Sequence, residues 1–245
     1  MNQPTNDVNI LGVNFDNTTL ENFMDIITNR INEHRRTFVV TANPEIVMYA
    51  QSHSQFNDLI KQADYIVPDG IGVILASRII SQPLKERVAG YDVFTKLLEW
   101  GSTNHKSAFF IGAKPNVIRD LQRVVAKQYP GLIISGTQDG YYKDESIISE
   151  KIRLSSPDMV FVATGSPKQE EFINRNINKS EALFMGIGGS FDVLTGNVKR
   201  APKIWQDLKL EWLYRALKEP SRFKRLMILP SYLNKVFKQR QQHRK

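Results

Sequence analysis

SAFFIGAKPNVIRDLQRVVAKQYPGLIISG, residues 107–136, reads as strand, helix, strand. The run SAFFIG (107–112) is apolar without alternation, which predicts a strand buried on both faces, as in a parallel sheet. In NVIRDLQRVVAKQY (116–129), Val117, Leu121, Val124 and Val125 fall on one helical face. LIISG (132–136) then returns to an apolar run. The same alternation extends outward in both directions through VNILGV (8–13), TFVVTA (37–42), YIVP (65–68), MVFVAT (159–164) and ALFMGIG (182–188). Repeated strand–helix units predict an α/β chain: a Rossmann-like, mostly parallel sheet flanked by helices. Ligands of such sheets lie at the carboxyl ends of the strands, near a switch in strand order. Thr41, Asn43, Asp69, Gly112, Gly136, Thr164 to Gln169 and Gly186 to Asp192 all stand just past an apolar run.

The 245 residues, 41% hydrophobic and 24% charged, suit one large domain, or one with an appendage, and exclude a disordered chain. No cysteine is present, so disulfides and thiolate metal sites are excluded. The opening MNQPTNDVNILGV has no basic segment followed by a long apolar one, and no later run approaches a spanning helix, so neither export nor membrane spanning is expected. The net charge of +8 is unevenly placed. Residues 196–245 hold 14 Lys and Arg against Asp207, Glu211 and Glu219, a net +11 that leaves residues 1–195 at −3. The division expected is a main body, residues 1–195, and a basic helical appendage, residues 196–245, that meets something anionic.

The alternation stops after Gly196. The tail reads as two or three helices split at Pro220 and Pro230. Leu208, Trp212 and Leu213 face one way in this reading, and Arg215, Arg222 and Arg225 line the other side. Residues 226–237 contribute Leu226, Met227, Ile228, Leu229, Tyr232, Leu233, Val236 and Phe237 between basic flanks, the composition of an interfacial helix. It is equally the composition of a helix docked on the body with a solvated basic face, and sequence does not separate the two.

Chemistry concentrates at the corners. TGSPKQE (164–170) and GIGGSFD (186–192) place small residues and hydroxyls at strand-to-helix junctions, where backbone amides suit a pyrophosphate. Such turns are also simply how strands and helices are joined. Asp69, framed by Pro68 and Gly70, suits either a helix N-cap or a general base. TANPE (41–45) offers Thr41 and Asn43 at the preceding corner, though Asn before Pro is also an ordinary helix start. His34, His53, His105 and His243 lack ligand spacing, and there is no D-x-D pair, so no metal site is expected. Neither G-x-G-x-x-G, Walker A nor G-x-S-x-G is present, which weakens the dinucleotide, P-loop and serine-hydrolase readings.

In order, TANPEIVMYA, ADYIVPDGIGV, ERVAGYDVF, FFIGAKP, GTQDGYY, VATGSPKQEEFI and MGIGGSFDVLTGNVKRAP resemble the WecG/TagA/CpsF glycosyltransferase family, from about residue 8 to about residue 227. Length and basic tail are most like its TagA-type, teichoic-acid branch. The resemblance implies transfer of N-acetylmannosamine (ManNAc) from UDP-ManNAc to the 4-hydroxyl of N-acetylglucosamine (GlcNAc) on undecaprenyl diphosphate, with inversion and without metal or cofactor. It implies Asp69 as catalytic base, with Thr41 and Asn43 in its pocket. Arg87 and Gln169 become substrate contacts and Asp192 a nucleotide-sugar contact. Arg215, Arg222 and Arg225 correspond to arginines of an appendage that closes over the site near the membrane. The expected location is cytoplasmic, peripheral on the inner face of the cell membrane and bound to its anionic surface; the family also suggests a homo-oligomer. Three alternatives stay open: a uronic-acid donor of the same family, a nicotinamide oxidoreductase on this fold, and a nucleic-acid-binding module. Tail aromatics lie among aliphatic residues rather than in a stacking set, which favours a membrane over nucleic acid.

Overall fold

A computed structural model of the chain describes residues 7–199, 201, 202, 205, 214 and 227–242. Six parallel strands form the sheet: β3 (Thr37–Ala42), β4 (Tyr65–Pro68), β5 (Ser107–Gly112), β6 (Ile133–Gln138), β7 (Met159–Ala163) and β8 (Leu183–Gly186), in the order β4-β3-β8-β7-β5-β6. Their apolar character follows from their position between two helical layers. Phe38, Val40 and Ala42 of β3 face one core and Val39 the other.

The first core packs helices α2 (Pro44–Ser52), α3 (Ser54–Ile60), α4 (Ile71–Ile79), α7 (Glu145–Ser155) and α8 (Lys168–Asn176) through Val47, Phe56, Val73, Ile152 and Phe172. The second packs α1 (Leu20–Asn32), α5 (Gly90–Thr103), α6 (Pro115–Gln128) and α9 (Ser190–Leu194) through Phe23, Phe94, Leu121 and Phe191. Each such side chain contributes about 1.5–3 kcal/mol on full burial. Local signals set the helix starts: the Thr19 hydroxyl accepts from the Asn22 amide, and Pro44 and Pro115 open α2 and α6, where no backbone donor is needed. On α6 the buried set is Val117, Ile118, Leu121 and Val125, so the inward face is turned slightly from the one expected and includes Ile118 in place of Val124.

The run VNILGV is not a strand of this sheet. It supplies β1 (Val8–Ile10) and the start of β2 (Val13–Phe15), an antiparallel hairpin. Leu11 and Gly12, at φ 51° and 87°, form the two-residue turn, since positive φ at both places matches the twist of a tight hairpin.

The last helix, α10 (Ile228–Gln242), runs through Pro230 rather than breaking there. Pro230 lies in its first turn, where the missing N–H costs no helical bond. Pro220 and the facing proposed for Leu208, Trp212 and Leu213 lie outside the described residues. Tyr232 and Val236 are fully buried in the first core, and Gln239 Nε2 donates to the Asn9 carbonyl while its Oε1 accepts from the Leu11 amide. Met227 and Phe237 remain exposed.

Candidate active site

Three corners meet at the carboxyl end of β4. The Asp69 amide donates to the Ala42 carbonyl at 2.9 Å, which ties the end of β4 to the end of β3. Gly70 sits against the start of α2: a side-chain carbon there would lie 3.3 Å from Pro44 Cδ and 3.5 Å from Asn43 Cβ. The third corner is the ERVAG segment, whose Val88 amide donates to the Pro68 carbonyl at 2.9 Å. Its Gly90 abuts Thr41, whose Oγ1 would be 2.8 Å from an added carbon. Glycine is required there because the third corner closes directly onto the first.

This packing places Arg87 beside Asp69, with Nε 3.9 Å from Oδ1. Their side chains keep 18% and 30% of their surface exposed, so both are held by the fold and neither is fully enclosed. The N-cap of α4 is Gly70 rather than Asp69, so capping does not account for the carboxylate. Asn43 is different: its Oδ1 accepts from the Glu45 and Ile46 amides, so the ordinary helix-start role is realised and only its NH2 end is left to meet a ligand. Thr41 is buried, with its hydroxyl 3.5 Å from the Gly186 carbonyl. It links the acidic corner to the glycine-rich end of β8.

The two glycine-rich junctions also meet. Gln169, in the first turn of α8, is buried, and its Oε1 accepts from the Gly188 amide at 2.9 Å. Its side chain lies against Gly186, where an added carbon would fall 2.6 Å from Nε2. Gly165 and Gly188 have φ of 82° and 52° with open space where a side chain would stand, which lets a ligand come close to the backbone there, although the Gly188 amide itself is taken by Gln169. Asp192 is half-buried in the first turn of α9, just beyond that junction.

Sequence reasoning missed the neighbour of Gln169. Glu170 is 2% exposed, and its Oε1 accepts from Gln169 Nε2 at 2.8 Å. Burial pushes its carboxyl up to about 7, while Gln169 and Ser166 pull the other way. A glutamate beside a lysine and two other polar residues carries no sequence signal of burial.

The structure thus brings together Thr41, Asn43, Asp69 and Arg87 at one end and sets Gln169 against Gly186 and Gly188, the junction that leads into the helix carrying Asp192. Arg215, Arg222 and Arg225 lie outside the described residues. Connections leave β7 and β5 in opposite directions, so the switch in strand order falls between them, where the Ala113 amide donates to the Ala163 carbonyl. From β4 to β5 is four strand spacings, roughly 19 Å at about 4.8 Å each, room for an extended ligand along the carboxyl edge. Two cavities, of about 190 and 380 Å³, lie at the opposite edge of the sheet, around Asp16 and Asp64 and around Ser102 and Tyr129. They share no residue with the acidic corner.

The sequence profile of the "Glycosyl transferase WecG/TagA/CpsF family" matches residues 8–245. A relative from Bacillus spizizenii is 44% identical over 212 residues, 86% of this chain and 82% of its own length. Others from Bacillus subtilis (40%; 91% and 88%) and Staphylococcus aureus strain MW2 (40%; 97% and 95%) match as widely. All three carry the name N-acetylglucosaminyldiphosphoundecaprenol N-acetyl-beta-D-mannosaminyltransferase.

Proposed function

The chain belongs to the WecG/TagA/CpsF glycosyl transferase family, and from that premise we propose that it transfers ManNAc from UDP-ManNAc to the 4-hydroxyl of GlcNAc-diphospho-undecaprenol. The product is the disaccharide lipid that begins a wall teichoic acid linkage. The geometric observation that carries the chemistry is the partly exposed Asp69–Arg87 pair at the end of β4, held by backbone bonds from two neighbouring corners.

In this reading Asp69 takes the proton from the acceptor 4-hydroxyl as that oxygen attacks the anomeric carbon. The bond from that carbon to the UDP oxygen breaks, and the configuration inverts in one displacement. The transition state has oxocarbenium character, so a fixed carboxylate on the attacking side also stabilises developing positive charge. Arg87, Thr41 and the NH2 group of Asn43 stand where they can orient the sugars. The UDP part extends from this corner over Gly186–Gly188 toward the switch in strand order, within reach of Gln169 and Asp192. The leaving diphosphate gains negative charge, and without a metal that charge falls to backbone amides and to arginines, Arg215, Arg222 and Arg225 among them.

The acceptor is a membrane lipid. No helix among the described residues is long and apolar enough to cross a bilayer. The reading is of peripheral attachment to the anionic inner face, and what supports it is the basic appendage, each surface Lys or Arg contributing on the order of 1 kcal/mol. Self-association of the chain belongs to the same proposal. The test of the base is Asp69→Asn: UDP-ManNAc binding by calorimetry stays within about threefold while turnover falls roughly 100-fold or more, the scale of general-base help. Near-normal turnover would remove Asp69 from that role.

A further inference from the structure

Gln169 is held at both ends. The Gly188 backbone N–H can only donate, so the atom facing it must be the Gln169 oxygen, and the NH2 group must then face Glu170. A flipped amide would set N–H against N–H at Gly188 and oxygen against oxygen at Glu170. Among the described residues Nε2 makes this one hydrogen bond, so its second N–H remains for a ligand. Gly186 leaves the amide no room to swing toward β8. Glu170 itself has no exposed role: it is 2% exposed, and among the described residues its second oxygen, Oε2, is enclosed without a hydrogen-bond partner of normal length, the Ser166 hydroxyl lying near the carboxyl without closing one. A buried acid with an unused oxygen is costly to keep for structure alone.

We propose that Glu170 is a positioning residue for the transfer: its Oε1 fixes the Gln169 amide so that one N–H is presented to an oxygen of the bound substrate. The inference rests on the glycosyltransferase reading above. Glu170 acts through Gln169 and does not itself touch the reacting atoms. Its elevated proton affinity is compatible with this role, since the carboxyl accepts from Gln169 in either protonation state, through its carbonyl oxygen when neutral.

Steady-state kinetics with UDP-ManNAc and a GlcNAc-diphospholipid acceptor test it on the full chain, using Glu170→Ala, Glu170→Gln, Gln169→Ala and the double Ala variant, with thermal melts of each. Expected is a loss of about tenfold or more in kcat/KM for Glu170→Ala, the scale of one misplaced hydrogen bond. The double variant should be no worse than Gln169→Ala, because both changes remove the same contact. Glu170→Gln, which keeps an acceptor oxygen in place, should recover most of the loss. Wild-type kcat and KM in Glu170→Ala would overturn the proposal. So would losses that multiply in the double variant, or failure of Glu170→Gln to recover activity while melting like the wild type. A wild-type chain that binds UDP-ManNAc but transfers nothing would overturn the transferase reading, and this inference with it.

Discussion

Replacing Glu170 by Gln should change how stability depends on pH, independently of any effect on turnover. Burial raises the carboxyl from the ordinary glutamate value of 4.5 to about 7. The folded chain therefore binds this proton more tightly than the unfolded chain does. Below about pH 4.5 both states are protonated and nothing is lost. Between there and about pH 7 the unfolded state ionises first, and folding stability declines with rising pH. Above pH 7 the loss is complete, and at about 1.4 kcal/mol per pH unit it amounts to roughly 3 kcal/mol. The side chain is fully enclosed, so solvent screening does not dilute this figure. Asp16, raised to about 6 by its own burial, titrates alike in both proteins and cancels from the comparison. Urea unfolding of wild type and Glu170→Gln at pH 4.5, 6 and 8 measures the difference directly. The variant should gain about 3 kcal/mol relative to wild type between the lowest and highest pH, most of it between pH 5 and 7. A stability difference that stays constant within about 0.5 kcal/mol across that range would mean that Glu170 ionises normally in the fold, and the reasoning about its burial would fail.

Two further substitutions probe packing. Among the described residues the Tyr232 hydroxyl is buried with no hydrogen-bond partner, so Tyr232→Phe should be neutral or stabilising, whereas Tyr232→Ala should cost about 3–5 kcal/mol by denaturant unfolding. Equal losses in the two would show that the hydroxyl is engaged. Gly186→Ala places a carbon 2.6 Å from Gln169 Nε2, the movable end of a side chain. That variant should fold with a loss of only about 1–2 kcal/mol yet lose activity as Gln169→Ala does, and wild-type kinetics would contradict the placement of Gln169.

The parallel sheet was legible because its strands are buried on both faces and carry unbroken apolar runs, and because helical periodicity separates them. The hairpin at residues 8–15 was not, because its turn residues, Leu11 and Gly12, sit inside an apolar run and only their positive φ reveals the reversal. The convergence of Asp69 and Thr41 followed from a general rule about the carboxyl ends of strands, whereas Arg87 was implied only by the family resemblance of the ERVAG segment. What sequence could not supply was the division of labour at Asn43, whose oxygen is spent on a helix cap. Nor could composition decide the side on which α10 spends its apolar residues: Tyr232 and Val236 go to the body, while Met227 and Phe237 stay outside. Glu170 was invisible for a related reason, since a charge in a sequence reads as exposed until its neighbours are placed.

The most direct test of the account is UDP release from UDP-ManNAc in EDTA, with and without GlcNAc-diphospho-undecaprenol, using wild type and Asp69→Asn side by side. The account predicts release that requires the acceptor, persists in EDTA and collapses in the variant. Release that is indifferent to the acceptor, or undiminished in Asp69→Asn, would contradict it.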